Sequence, residues 1–236
     1  MKLLKTNTRI AGFNRISMID WENRMSSVIF LSGCNWRCPY CHNRELCSVS
    51  GDIRQNEILE YLEEKSGWID GVVLCGGEPL FSDDIIALAE EIKRLGYDVK
   101  LDTNGSYPAR LKEMIDTGII DYVAMDIKSK LTEDRYRKAV ALPGQVDNVI
   151  RSMNILADSG KEFEFRTTMV PEIVSPDDII YNVSFMRAGT KYAIQQYSNT
   201  NVCDEYFRNV RPYPEEILEK TVELINKKGV NACLRI

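Results

Sequence analysis

The stretch Ser26-Ser-Val-Ile-Phe-Leu-Ser-Gly-Cys-Asn-Trp-Arg-Cys-Pro-Tyr-Cys-His-Asn43 decides how the chain is read. Its first six residues, Ser26–Leu31, read as a strand whose last four residues are apolar. Three cysteines then follow within eight residues: Cys34, Cys38 and Cys41. A parallel α/β sheet builds its ligand sites at the carboxyl ends of its strands. A strand feeding a cysteine-rich loop therefore suggests where to look in the rest of the chain.

Working outward, the pattern repeats. Gly71–Cys75 reads as a strand and ends in Gly-Gly-Glu-Pro79. Asp98–Asp102 runs into Thr-Asn-Gly105, and Tyr122–Ile127 carries Asp126 and is followed by Lys128. Glu162–Val170 carries Arg166, and Tyr192–Tyr197 contains Gln195-Gln-Tyr197. Helical periodicity fills the gaps at Arg54–Lys65, Ser82 to before Gly96, Pro108–Thr117, Thr132–Val140, Asp147–Ser159, a helix opening at Ser175-Pro176-Asp177, and Pro214–Lys228. Val230–Ile236 is a candidate final strand. Strands alternating with helices imply right-handed βαβ units and a parallel sheet. Six central strands fit an open sheet or a partial barrel. We expect a single α/β domain over 1–236, with a core at about 10–200 and residues 201–236 packing on it as an extension.

Composition narrows the class. Of 236 residues, 44% are hydrophobic and 28% charged, which excludes a disordered, collagen-like or coiled-coil chain. The longest apolar run is too short to span a bilayer, and Met1-Lys-Leu-Leu-Lys5 has no signal-peptide core. A net charge of −5 gives no basic excess for nucleic acid. The basic run Arg135–Lys138 reads as a solvated helix face. The expected setting is the cytoplasm, with no membrane and no nucleic-acid partner.

Seven cysteines, an odd number, point to metal or redox chemistry and not to a disulfide framework. His42 is the chain's one histidine, so two-histidine zinc sites are excluded. Three thiolates on one short loop can hold three irons of a cubane cluster and leave the fourth open. A structural zinc completed by a fourth thiol, such as Cys47, is the alternative. Cys75, Cys203 and Cys233 also suit plain packing. Taken singly, Asp102 and Asp126 fit helix caps, Lys128 and Arg166 fit ion pairs, and His42 fits a neighbour of the cluster. Residues 201–213 read as a packed loop or a docking surface.

Together these residues carry a resemblance. The Cys34-x3-Cys38-x2-Cys41 spacing with Tyr40, and the Gly76-Gly-Glu-Pro79 turn, resemble the radical S-adenosylmethionine superfamily. The stretch from Gly12-Phe13 through Cys-His-Asn43 resembles glycyl-radical-enzyme activating enzymes, especially activases of anaerobic (class III) ribonucleoside-triphosphate reductase. The likeness runs from about Ile10 to Tyr197 and implies a partial (β/α)6 barrel. It implies that Cys34, Cys38 and Cys41 ligate one [4Fe–4S] cluster, whose open iron takes the amino and carboxylate groups of S-adenosyl-L-methionine. Gly76, Gly77 and Glu78 would receive the methionine amino group, and Tyr40 and His42 would lie along the adenine. Asp102, Asp126 and Lys128 would hold the ribose and carboxylate region, with Arg166 adding a cation. In some relatives the two aspartate segments also hold a monovalent cation.

The chemistry implied is one-electron cleavage of the sulfonium to a 5′-deoxyadenosyl radical. That radical would take a Cα hydrogen from glycine on a partner glycyl radical enzyme, with reduced flavodoxin or ferredoxin as electron donor. No residue of the chain is assigned as a catalytic acid, base or nucleophile. Two departures stand out: Asp20-Trp-Glu-Asn23 where relatives carry Asp-Tyr-Pro-Gly, and Gln196-Tyr-Ser198 where some place histidine. The rival readings are a radical enzyme acting on a small molecule, such as a deazapurine synthase, and a non-enzymatic iron–sulfur carrier or zinc-stabilised binding module.

Overall fold

A computed structural model of the chain describes residues 8–48 and 53–236. The expectations placed on Met1–Lys5 and on the Cys47 side chain lie outside the described residues. The chain divides into two compact units. The first comprises residues up to Asn35, Asn43–Thr103 and Ala109–Val123; the second comprises Trp36–His42, Asn104–Pro108 and Ala124–Ile236. The fold class is α/β, as expected. Among the described residues no helix is long and apolar enough to cross a membrane.

In the first unit, β1 (Ile10–Ser17), β2 (Ser26–Leu31), β3 (Gly71–Gly76) and β4 (Asp98–Thr103) lie in that order. β2, β3 and β4 are parallel. Ser26 pairs with Gly71 and Leu31 with Gly76, and Leu74 pairs with Leu101. The register therefore ends the strands side by side, so the residues that follow them share one rim. Val28, Ile29, Leu31, Val72, Val73, Leu74, Val99 and Leu101 are fully buried. Strands buried on both faces read as unbroken apolar runs, which is why they are legible. Helices α2 (Gln55–Glu64) and α3 (Ile85–Arg94) bury Ile58, Leu59 and Leu62, and Ile85, Leu88, Ala89 and Ile92, at helical spacing. The short helix α1 (Arg44–Ser48) and α4 (Pro108–Asp116) complete the helices that begin before β5 (Tyr122–Asp126).

Two differences from expectation have local causes. β1 is an antiparallel edge strand that the alternation did not reveal. Its register shifts between Ile10 and Gly12 and again between Asn14 and Ser17, which scrambles the period-two pattern and leaves Ile16 half exposed. The helix expected from Ser82 starts at Ile85. A 3₁₀ turn, Pro79–Phe81, comes first, and the Ser82 N–H donates to the Pro79 carbonyl.

The turn between β1 and β2 is anchored by an aromatic side chain. Trp21 is buried against Val28 and Val73, and the Arg24 guanidinium lies 4.7 Å from its ring centroid. Asn23 takes φ +58°, in the region glycine favours and asparagine tolerates best among the rest.

In the second unit the order is β5, β6 (Glu162–Met169), β7 (Lys191–Gln196) and β8 (Asn231–Arg235). β6, β7 and β8 are parallel, with Glu164 beside Lys191 and Lys191 beside Asn231. The candidate strand at the C-terminus is therefore present. Helices α5 (Glu133–Val140), α6 (Val146–Asp158), α7 (Pro176–Val183), α8 (Glu205–Arg208) and α9 (Glu215–Lys227) accompany these strands. α7 opens on a reciprocal cap. Ser175 Oγ accepts from the Asp178 N–H, and the Asp178 carboxylate accepts from the Ser175 N–H at 2.9 Å.

Candidate functional site

Of the residues singled out in the sequence, Cys34, the glycine turn and Asp102 lie in the first unit. The Gly77 N–H donates to the Leu31 carbonyl and the Glu78 N–H to the Gly33 carbonyl, both at 2.9 Å. The cysteine loop after β2 and the turn after β3 are therefore locked backbone to backbone. Only glycine permits this. A Cβ at Gly77 would sit 1.9 Å from the Gly33 carbonyl oxygen, and one at Gly76 2.4 Å from the Leu31 nitrogen, with φ at +111°.

Glu78 is 1% exposed. Its Oε1 accepts from the Leu80 N–H at 3.0 Å and from the Thr103 hydroxyl at 2.7 Å. The carboxylate thus ties the glycine turn to the end of β4. Thr103 in this role is a residue that sequence reasoning missed, since a threonine at a strand end carries no distinguishing signal. Asp102 pairs with the buried Lys100 ammonium at 3.0 Å, and Lys100 also donates to the Asp20 carbonyl.

Cys38, Tyr40, Cys41, His42, Asp126, Lys128 and Arg166 lie in the second unit. Cys38 and Cys41 share one turn, closed by the Cys41 N–H on the Cys38 carbonyl at 3.2 Å. Asp126 receives Lys128 Nζ on one oxygen at 2.7 Å and Arg166 Nε on the other at 2.9 Å. Burial would raise its pKa, but the guanidinium and the ammonium prevail and hold it down to about 2. Lys128 is clamped through its backbone. Its N–H donates to Tyr136 Oη, and its carbonyl accepts from Tyr40 Oη, both at 3.1 Å. Burial opposes the Lys128 charge, yet Asp126 and the thiols of Cys38 and Cys41 raise its pKa above the ordinary lysine value.

A cation beside two thiols favours their thiolate forms, the forms that ligate metal. Soft thiolates with a cation nearby are a donor set that fits iron–sulfur ligation. Among the described residues no three His, Cys, Asp or Glu side chains gather tightly enough to hold a single metal ion.

Tyr40 is buried, and burial followed by the Cys38 charge pushes its phenol pKa well up. Tyr136, fully buried at the centre of the basic run, was legible only as part of a helix. Arg137 and Lys138 are exposed, as a solvated helix face requires, while Arg135 pairs with Asp178 and Lys138 donates to the Glu172 carbonyl. His42 Nε2 lies 2.7 Å from the Ser198 carbonyl. A carbonyl only accepts, so that nitrogen carries the proton.

The ion pairs around Asp126 make a direct prediction. Asp126→Asn leaves two largely buried cations facing a neutral amide and is expected to cost about 2–4 kcal/mol. The folded-state pKa of Asp126 is depressed, so its contribution is complete above about pH 4 and fades as pH falls towards 2. Denaturant unfolding at pH 7 and pH 3 checks both parts: the gap between native and variant should be larger at pH 7.

Comparison with known proteins places this geometry. The family model of the radical SAM superfamily matches residues 28–180. A Methanocaldococcus jannaschii protein, provisionally named a glycyl-radical enzyme activating enzyme, is 34% identical over 228 residues, covering 94% of this chain and 93% of its own length. The pyruvate formate-lyase-activating enzyme of Streptococcus mutans is 28% identical over 166 residues, covering 64% of this chain and 61% of its own length. Among solved structures, SuiB of Streptococcus suis matches with a TM-score of 0.66 at 16% identity, covering 87% of this chain and 47% of that one. At that identity the likeness is one of fold.

Proposed function

Because the chain belongs to the radical SAM superfamily and is homologous to glycyl-radical enzyme activating enzymes, we propose that it is an activase for a partner glycyl radical enzyme, with anaerobic ribonucleoside-triphosphate reductase as the partner. The observation that carries this reading is the lock between the Cys34 loop and the Gly76-Gly77-Glu78 turn. An electron carrier has no need to fix a glycine turn against its cluster loop. An enzyme that must hold an amino acid beside its metal does.

The family implies a [4Fe–4S] cluster and S-adenosylmethionine. When bound, they supply one-electron cleavage of the sulfonium and a 5′-deoxyadenosyl radical. In this reading Cys34, Cys38 and Cys41 hold the cluster. The glycine turn offers backbone carbonyls to the methionine amino group, while Glu78 holds that turn in shape. Two cations on one carboxylate leave the Asp126, Lys128 and Arg166 group with one net positive charge, suited to a ligand carboxylate. Asp102 faces the ribose, and Tyr40 and His42 flank the adenine. Both Asp126 oxygens already receive cationic donors, which disfavours a further monovalent cation there. The whole chain works as one domain in the cytoplasm, where thiols stay reduced and reduced flavodoxin or ferredoxin can serve as donor.

Two readouts test the proposal. The anaerobically reconstituted, reduced chain should form 5′-deoxyadenosine from S-adenosylmethionine. With the reductase present, electron paramagnetic resonance should show a glycyl radical on the reductase. Cleavage without a protein radical would point to a small-molecule substrate, and no cleavage by a reduced cluster would point to a carrier.

A further inference from the structure

The segment after β7 is folded onto the turn that bears Cys38 and Cys41. The Cys203 N–H donates to the Cys41 carbonyl at 3.2 Å, and the Asp204 N–H donates to the Pro39 carbonyl at 3.2 Å. The Cys203 thiol lies 3.2 Å from the Pro39 carbonyl oxygen and 3.5 Å from that of Cys38. His42 donates to the Ser198 carbonyl, and the Tyr40 ring meets Phe207 edge-on at 6.3 Å. Asp204 in turn caps α8 by accepting the Tyr206 N–H at 2.9 Å, which fixes the strap from its far side. Every residue from Cys38 to His42 thus has a partner in residues 198–207. A four-residue turn carrying two metal ligands has few backbone bonds of its own. Something else must hold it in shape while the metal is absent.

We propose that residues 198–207 form a strap that presets the Cys38–Cys41 turn for its cluster, with Cys203 as a positioning residue whose S–H bonds to the Pro39 and Cys38 carbonyls. The inference rests on the reading that Cys38 and Cys41 ligate the cluster. Cys203 acts here as a hydrogen-bond donor, not as a further ligand. A thiol is a weak donor, and serine supplies a stronger one of similar shape.

The test uses the full chain and three variants: Cys203→Ala, Cys203→Ser and Cys38→Ala. After anaerobic reconstitution, iron content is measured, followed by the rate of iron loss to a chelator. In the metal-free proteins, the rate at which iodoacetamide modifies Cys38 and Cys41 is followed by mass spectrometry. Circular dichroism establishes that each variant is folded. The expected result is iron loss about tenfold faster for Cys203→Ala, near-native loss for Cys203→Ser, and faster alkylation of Cys38 and Cys41 in the alanine variant only. Native iron retention and native alkylation in Cys203→Ala would overturn the strap. If Cys203→Ser lost iron as fast as Cys203→Ala, sulfur would be needed as such, and the donor role would be wrong. Failure of the native chain to take up iron, or retention of a full cluster by Cys38→Ala, would instead remove the ligand reading on which the strap depends.

Discussion

Cys38→Ala is expected to lower 5′-deoxyadenosine formation by at least about a hundredfold, to the background of the reductant alone. Outer contacts around a metal ligand already change affinity or activity by about 10–100-fold when lost, and a ligand itself does more. Among the described residues, the neighbouring thiol is not placed to substitute. Cys203, the neighbouring thiol, faces the carbonyls of Pro39 and Cys38. Cys34→Ala and Cys41→Ala should behave the same way. Cys233→Ala, which alters an exposed thiol on β8, should retain native cleavage. The assay is anaerobic product quantification at matched iron content. Native turnover by Cys38→Ala would dismiss the ligand assignment.

Gly77→Ala is expected to be among the most destabilising single-methyl additions in the chain. Its φ lies outside the left-handed region, so the cost is steric alone, and the obstacle is the Gly33 carbonyl oxygen at 1.9 Å, which is backbone and cannot swing aside. The β3 turn must separate from the cysteine loop, with the loss of the Glu78-to-Gly33 hydrogen bond. A cost of about 3 kcal/mol corresponds to a fall in Tm of roughly 6–12 °C for a chain of this size. Gly96→Ala is the control. Gly96 also has positive φ, at +90°, but a Cβ there meets nothing within 4 Å. Backbone strain alone should cost about 1 kcal/mol. Thermal unfolding of the two variants decides the matter: equal losses would mean that the two loops do not need their close approach. Gly77→Ala should also retain less iron, because the separation moves Cys34.

Several features were legible in the residues because each has a local physical signature. Residues 28–31 and 72–74 are unbroken apolar runs inside buried strands, and α7 announces itself through Ser175, Pro176 and Asp178. The glycine turn could be found because close backbone approach demands glycine, and the three cysteines stood out by their spacing. β1 was hidden because its bulges break the alternation on which strand reading depends. Thr103, Tyr136 and Cys203 were hidden because their side chains are common and their partners lie 25, 8 and 164 or more positions away in sequence.

The sequence by itself determined the α/β class and the order of its strands and helices, and it singled out the cysteine loop and the glycine turn as candidates, since each follows from composition, periodicity or spacing along one segment. Only the tertiary structure decided what those residues do to one another. It gave Gly76 and Gly77 the task of letting two backbones touch, turned Glu78 into a brace for the turn, and paired Lys128 with Asp126 within electrostatic reach of two thiols. It also brought the segment after β7 onto the cysteine turn. Such relations depend on distances between segments remote in sequence, and those distances exist only once parallel strands have fallen into register.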